Sequence, residues 1–216
     1  MTDHLDDPGL GHRLKRRLVR PLPGTAAQIR LSPEPRFGWT PGHLPDTARP
    51  SAGLVLLHPR NGRRHTVLTL RNSELNQHAG QLSLPGGAME PGESPADAAL
   101  REANEEIGLP IDAVEVVGQL TPLYIPVSGF ALHPVVAVTD DPLSFDPDPG
   151  EVQQLYEIGL GQLGDSANRG EEQREHKGLP YRVPFIRVAD QKLWGATAMV
   201  FAELFAVLDA LGSEGL

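Results

Sequence analysis

The chain has 216 residues, of which 39% are hydrophobic and 22% charged, with a formal net charge of −9. That length fits one domain with extensions, and the apolar share suffices for a substantial core. The acidic balance argues against bulk binding to nucleic acid or an anionic membrane, and the absence of cysteine removes any disulfide framework.

The N-terminal residues, with Asp3, Asp6 and Asp7 and no apolar run, do not read as a signal peptide. No stretch approaches the roughly 20 apolar residues of a membrane span, so a cytoplasmic protein is the expectation. Residues 1–50 read as an N-terminal extension packing on a domain formed by residues 51–216. Within the extension, Lys15, Arg16, Arg17 and Arg20 form a solvated basic helix face, followed by a proline-rich irregular stretch. Residues 54–57 and 66–70 read as strands joined by the turn Pro59-Arg60-Asn61-Gly62. A turn, Pro85-Gly86-Gly87, leads into a helix. Residues 114–120 and 134–138 are further strands, separated by a loop through Pro126-Val127-Ser128-Gly129, and residues 140–150 form an acidic, proline-rich loop. Residues 151–162 suggest a strand and short helix, 164–180 a polar mobile loop, and 181–187 another strand. Residues 194–211 are apolar on nearly every face, as in a buried helix. The mixed order predicts an α+β protein, built as an α/β/α sandwich around a mixed β-sheet.

The helix after the glycine turn carries the chemistry. Ser94 suits the N-cap, Pro95 the first helical position and Asp97 the capping-box position. Gly108 is placed for a left-handed cap and Pro110 prevents continuation. Ala96, Ala99, Leu100, Ala103 and Ile107 form one apolar stripe, while Glu102, Glu105 and Glu106 fall within a separate arc of about 100°, with Arg101 at its edge. Small alanines place the helix close to a sheet, and the acid face is expected in a cleft. Three crowded carboxylates repel one another unless a cation joins them, and carboxylate oxygens suit Mg²⁺ or Mn²⁺.

The spacing extends further. Gly87, five residues, Glu93, seven residues, then Arg101-Glu102-Ala103-Asn104-Glu105-Glu106-Ile107-Gly108-Leu109 resembles the Nudix box, G-x5-E-x7-R-E-U-x-E-E-x-G-U with U a bulky aliphatic residue. Ala103 departs from the pattern by being small, which concerns packing and not chemistry. The resemblance implies the Nudix fold and hydrolysis of a nucleoside diphosphate linked to another moiety, with water attacking one phosphorus of a pyrophosphate. It implies Mg²⁺ or Mn²⁺ as cofactor, with Glu102 and Glu106 as leading metal ligands and Glu105 completing the site. Arg101 pairs with an acid of the box, Glu93 by this reading, and Gly86 and Gly87 let the backbone approach the metal and phosphates.

The segment upstream carries a second resemblance. Leu68-Thr69-Leu70-Arg71 and His78-Ala79-Gly80-Gln81 ahead of Pro85-Gly86-Gly87 are similar to the signature of the coenzyme A pyrophosphatase branch. So are Ser128-Gly129-Phe130, Pro134-Val135-Val136 and Leu193-Trp194-Gly195-Ala196-Thr197-Ala198. This branch cleaves coenzyme A or an acyl derivative to 4′-phosphopantetheine and adenosine 3′,5′-bisphosphate. Arg71, His78 and Gln81 would then contact substrate, Arg71 because a guanidinium forks onto phosphate oxygens.

The general base stays open between Glu102 and Glu151, with Glu171, Glu172 and Glu175 as loop-borne alternatives. Two rival readings also stay open: hydrolysis of ADP-ribose or dinucleoside polyphosphates, for which Pro122, Tyr124 and Pro126 are cues, and an inactive nucleotide-binding sensor. A small-molecule nucleotide is the expected partner, with a homodimer as the default assembly.

Overall fold

The computed structural model describes residues 6–71 and 81–213. His78 and the side chain of Arg71 lie outside the described residues. Alternating burial along two long strands sets the architecture. In β1 (Arg49–Arg60), Leu54 and Leu56 turn to one face of the sheet and Val55 and Leu57 to the other, all fully buried. The same alternation in β2 (Arg63–Arg71) separates Val67 from Leu68 and Leu70. Strands apolar on both faces need cover on both. One face receives α3 (Pro95–Ile107) through Ala98, Ala99, Ala103 and Ile107. The other receives α5 (Gly195–Ser213) through Phe201, Leu204, Val207 and Leu208, and α1 (Leu10–Leu18) through Leu10, Leu14 and Leu18. The result is an α/β/α sandwich.

The main sheet runs β3-β2-β1-β7-β5, with β3 at Leu82–Ser83, β5 at Glu115–Gln119 and β7 at Phe130–Val138. It is mixed, because β1 and β7 pair in parallel from Arg49–Phe130 to Leu57–Val138 while β1 and β2 are antiparallel. Three further strands join it: β4 (Gly86–Ala88) on β1, β6 (Leu123–Ile125) on β7, and β8 (Val152–Gly159) on β2. After α4 (Leu160–Gly164), the strands β9 (Arg169–His176), β10 (Leu179–Val188) and β11 (Gln191–Trp194) form a second antiparallel sheet in the order β11-β10-β9. In the N-terminal segment, α2 (Thr25–Gln28) precedes a single 3₁₀ turn ending at Leu31.

Several expectations change. Residues 164–180 are no mobile loop, since most of them form β9 and the start of β10. Their strand Arg-Gly-Glu-Glu-Gln-Arg-Glu-His is polar on both faces, and cross-strand ion pairs of Arg182 with Glu171 and Lys192 with Glu172 hold it. The Pro85-Gly86-Gly87 turn ends in a strand, β4, and 123–125 is a strand that the sequence left in a loop. The irregular stretch after residue 20 contains α2. The apolar window Gly195–Gly212 has the length and hydropathy of a membrane span, contrary to expectation, and 61% of it is buried inside the domain as a core helix.

One buried acid ties α2 of the N-terminal segment to this core. Glu203, fully buried on α5, accepts from Gly24 N, Gln28 Nε2, Thr121 N and Thr121 Oγ1 at 2.6–3.3 Å. The carboxylate has no cationic partner among these contacts; neutral donors supply its solvation.

Candidate active site

Helix α3 begins as its sequence dictates. The Ser94 hydroxyl accepts from Asp97 N at 3.2 Å, Pro95 opens the helix, and Gly108 closes it at φ 63°. The alanine stripe brings the helix down on β1 and β4, so its acidic side meets the glycine strand. Two hydrogen bonds register that contact: Gly86 N donates to Glu106 Oε2 at 3.0 Å, and Arg101 Nη2 donates to Ala88 O at 3.1 Å.

Gly86 and Gly87 are needed for two different reasons. Gly86 has φ 154°, and a Cβ there would fall 2.2 Å from Ala52 O. A Cβ on Gly87 would fall 2.3 Å from Glu102 Oε2, because the Glu102 carboxylate lies directly over this residue. The cross-strand pairs Gly53–Gly86 and Ala52–Gly87 fix the floor beneath it.

Arg101 organises the acids. Its Nε and Nη2 donate to the two oxygens of Glu93 at 2.9 and 3.1 Å, and its Nη1 donates to Glu102 at 2.8 Å and Glu105 at 3.1 Å. The bidentate contact with Glu93 is the leading reason that Arg101 is held protonated more firmly than a free guanidinium. The same contact, with a backbone donor from Glu90, keeps the Glu93 carboxyl below its usual range. Glu102 moves the other way. Burial raises it, Arg101 opposes the rise, and the negative charges of Glu105 and Glu151 add to it.

Glu151 reaches this neighbourhood through the acidic loop. Asp146 N donates to Ile107 O and Asp148 N to Glu106 O, both at 3.0 Å, so the loop is pinned to the carbonyl end of α3. Asp148 O then accepts from Glu151 N at 3.1 Å and Val152 N at 2.8 Å, and Asp148 Oδ1 accepts from Gly150 N at 2.8 Å. Arg71 pairs through its backbone with Val152 across a register irregularity, so β2 ends beside the residue after Glu151. Asp148-Pro149-Gly150, at the end of the expected acidic, proline-rich loop, forms this turn. An Asp ahead of Pro-Gly that precedes a strand is the signal that its side chain closes an Asx turn.

The structure therefore gathers Glu93, Arg101, Glu102 and Glu105 in one ion-pair network, with Glu102 and Glu106 of α3 against the glycine strand and the charge of Glu151 felt at Glu102. It does not gather Glu102, Glu105 and Glu106 symmetrically. Among the described residues no three acids or histidines form a ready-made metal cage, because the Arg101 guanidinium stands between Glu102 and Glu105. Glu105 is half-exposed, while Glu106 is only 2% exposed and braces Gly86 instead of facing an open cleft. The site nevertheless fits a hard cation. Its donors are oxygens, a desolvated carboxylate is crowded by like charges, and Gly87 leaves room where any other residue would collide with Glu102. Gln81, half-buried, opens the segment into β3. Glu171 and Glu172 are paired to Arg182, Arg174 and Lys192 on the second sheet, and Glu175 lies on the same strand, so none sits on a closing loop.

A model of the NUDIX domain matches residues 47–175. The chain belongs to the Nudix family. The match covers β1 through β9, including the box helix and the acidic loop. A Photorhabdus laumondii subsp. laumondii protein described as an uncharacterized Nudix hydrolase, NudL, is 32% identical over 180 residues, covering 82% of this chain and 91% of that one. Nudix hydrolase 15, mitochondrial, of Arabidopsis thaliana is 34% identical over 173 residues, covering 76% of this chain and 60% of that one. The crystal structure of a Nudix hydrolase from M. smegmatis, RenU, superposes with a TM-score of 0.51 at 24% identity over 76% of this chain and 87% of that one, which shows the shared fold. Nudix hydrolases act on small nucleotide substrates and generally use divalent ions such as Mg²⁺ or Mn²⁺.

Proposed function

We propose that this Nudix protein hydrolyses the pyrophosphate bond of coenzyme A or an acyl-coenzyme A, releasing 4′-phosphopantetheine and adenosine 3′,5′-bisphosphate. The observation that carries the hydrolytic part is the Glu102 carboxylate, laid over Gly87 and crowded by Glu105 and Glu151. The coenzyme A part rests on Leu68-Thr69-Leu70-Arg71 and His78-Ala79-Gly80-Gln81. Among the described residues, the first part of that signature ends β2 opposite Val152 and Gln81 stands just ahead of β3, which pairs with β2.

On this reading Glu102 and Glu106, with Glu105, hold Mg²⁺ or Mn²⁺. The ion supplies charge neutralisation at the phosphates and a lowered pKa for the attacking water. Arg101 keeps Glu102 and Glu105 aligned and is itself steadied by Glu93. Gly86 and Gly87 let β1 and the Glu102 carboxylate close on the strand that receives the pyrophosphate. Glu151, whose charge is felt at Glu102, takes the proton of the water on this reading, and Arg71, His78 and Gln81 bind the substrate's phosphates from the upstream segment.

Turnover in Mg²⁺ or Mn²⁺ of coenzyme A, ADP-ribose and diadenosine polyphosphates, with products separated chromatographically, tests the proposal. The two coenzyme A fragments should dominate. ADP-ribose hydrolysed far faster than coenzyme A would overturn the substrate, and no turnover of any compound would favour a nucleotide sensor.

A further inference from the structure

We infer that Asp148 is a positioning residue for Glu151: its side chain holds the acidic loop in the turn that carries Glu151 onto the carbonyl end of the box helix. This rests on the pyrophosphatase reading above and adds a residue that acts through Glu151 without touching substrate.

Two kinds of contact meet at Asp148. Its backbone N–H is anchored on Glu106 O at the end of the box helix. Its carbonyl takes the N–H groups of Glu151 and Val152, and its Oδ1 takes the N–H of Gly150. One residue thus links the helix that bears Glu102 and Glu106 to the strand that begins at Val152. Glu151 lies between these anchors with its own N–H already committed. A glutamate in an exposed loop would otherwise sample many positions, and ordering it beforehand removes that entropy from the reaction. Asp146 N on Ile107 O provides a second anchor upstream, so the loop is held from both sides of Pro147.

The carboxylate's charge works against its location. An acid near the carbonyl end of a helix is electrostatically unfavourable, and here it adds to an acidic cluster. The acceptor oxygen, rather than the charge, therefore explains Asp148. Asparagine keeps that oxygen and removes the charge, whereas alanine removes both.

Three variants test this. In D148A, kcat should fall about tenfold or more with KM nearly unchanged, the pattern of a misplaced group. D148N should retain most of the activity. On an E151Q background D148A should add little, since both act through one group. Hydrogen exchange of the Glu151 and Val152 amides in metal-free protein supplies a readout without substrate: faster in D148A, near wild type in D148N. A D148N as impaired as D148A, a full additional loss in the double variant, or unaltered exchange in D148A would overturn the inference. If wild type turns over no pyrophosphate, the exchange result still decides the turn while the functional proposal fails separately.

Discussion

The Glu102 carboxylate occupies the space that a side chain on Gly87 would take: a Cβ there would stand 2.3 Å from Glu102 Oε2. Strand and helix are thus complementary at the atom level, and the glycine serves the acid lying across it. Gly87 is not among the residues with positive φ, so alanine is tolerated by the backbone itself. Gly87→Ala should therefore displace Glu102, reducing kcat on the order of 100-fold while leaving the fold intact. Steady-state kinetics beside a thermal melt check this. Unchanged kcat would mean that the Glu102 position has no part in turnover.

Arg101 makes five hydrogen bonds in a fixed fork, to Glu93, Glu102, Glu105 and Ala88 O. Lysine retains the charge but cannot span these acceptors. Arg101→Lys should lower kcat by about tenfold or more, and loss of Glu93 should act in the same direction because it steadies the same guanidinium. A Lys variant with wild-type kinetics would reduce Arg101 to a simple counter-charge.

Glu203 stands apart from the chemistry and ties α2 to the core. Glu203→Ala removes the acceptor of Gly24 N, Thr121 N and Thr121 Oγ1, and leaves Gln28 Nε2 with Thr121 O alone, at a cost of at least about 2 kcal/mol. Urea unfolding should show that loss. A stability within about 0.5 kcal/mol of wild type would show that these donors find other partners.

His58 predicts the pH dependence of stability. It is fully buried on β1, with Glu157 Oε2 3.6 Å from its Nε2. Burial, then the charges of His65 and Arg60, lowers its pKa from 6.5 to about 4. With the folded value depressed, the unfolded chain gains a proton below pH 6.5 while the native protein resists until about 4. His58 therefore subtracts stability as pH falls through that window and contributes no such loss above it. Melts of wild type and His58→Leu across pH 7 to 4 should show a shallower decline in the variant. Parallel declines would refute a buried neutral imidazole.

Local signals made the box helix legible. Ser94, Pro95 and Gly108 mark its ends, and the stripe through Ala99, Ala103 and Ile107 marks its buried side, to which the structure adds Ala98. Glu106 shares its arc with exposed acids, so its burial was not legible there: its contact with Gly86 depends on where β4 lies. Strands β3 and β4 are two and three residues long and exist through pairing with β2 and β1, so no local periodicity announces them. Strand β9 is polar throughout, and its partners lie on β10 and β11. Glu203 was detectable in principle: unlike the exposed Asp209 near the helix end, an acid in the middle of a helix apolar on nearly every face must find donors.

The central claim is that Glu102 and Glu106 grip a divalent ion over the Gly86–Gly87 strand. Anomalous diffraction from crystals soaked in Mn²⁺ tests it most directly. A manganese peak bound by these two carboxylates is the predicted result; a map with manganese elsewhere, or with no peak above this strand at high Mn²⁺, would contradict the account.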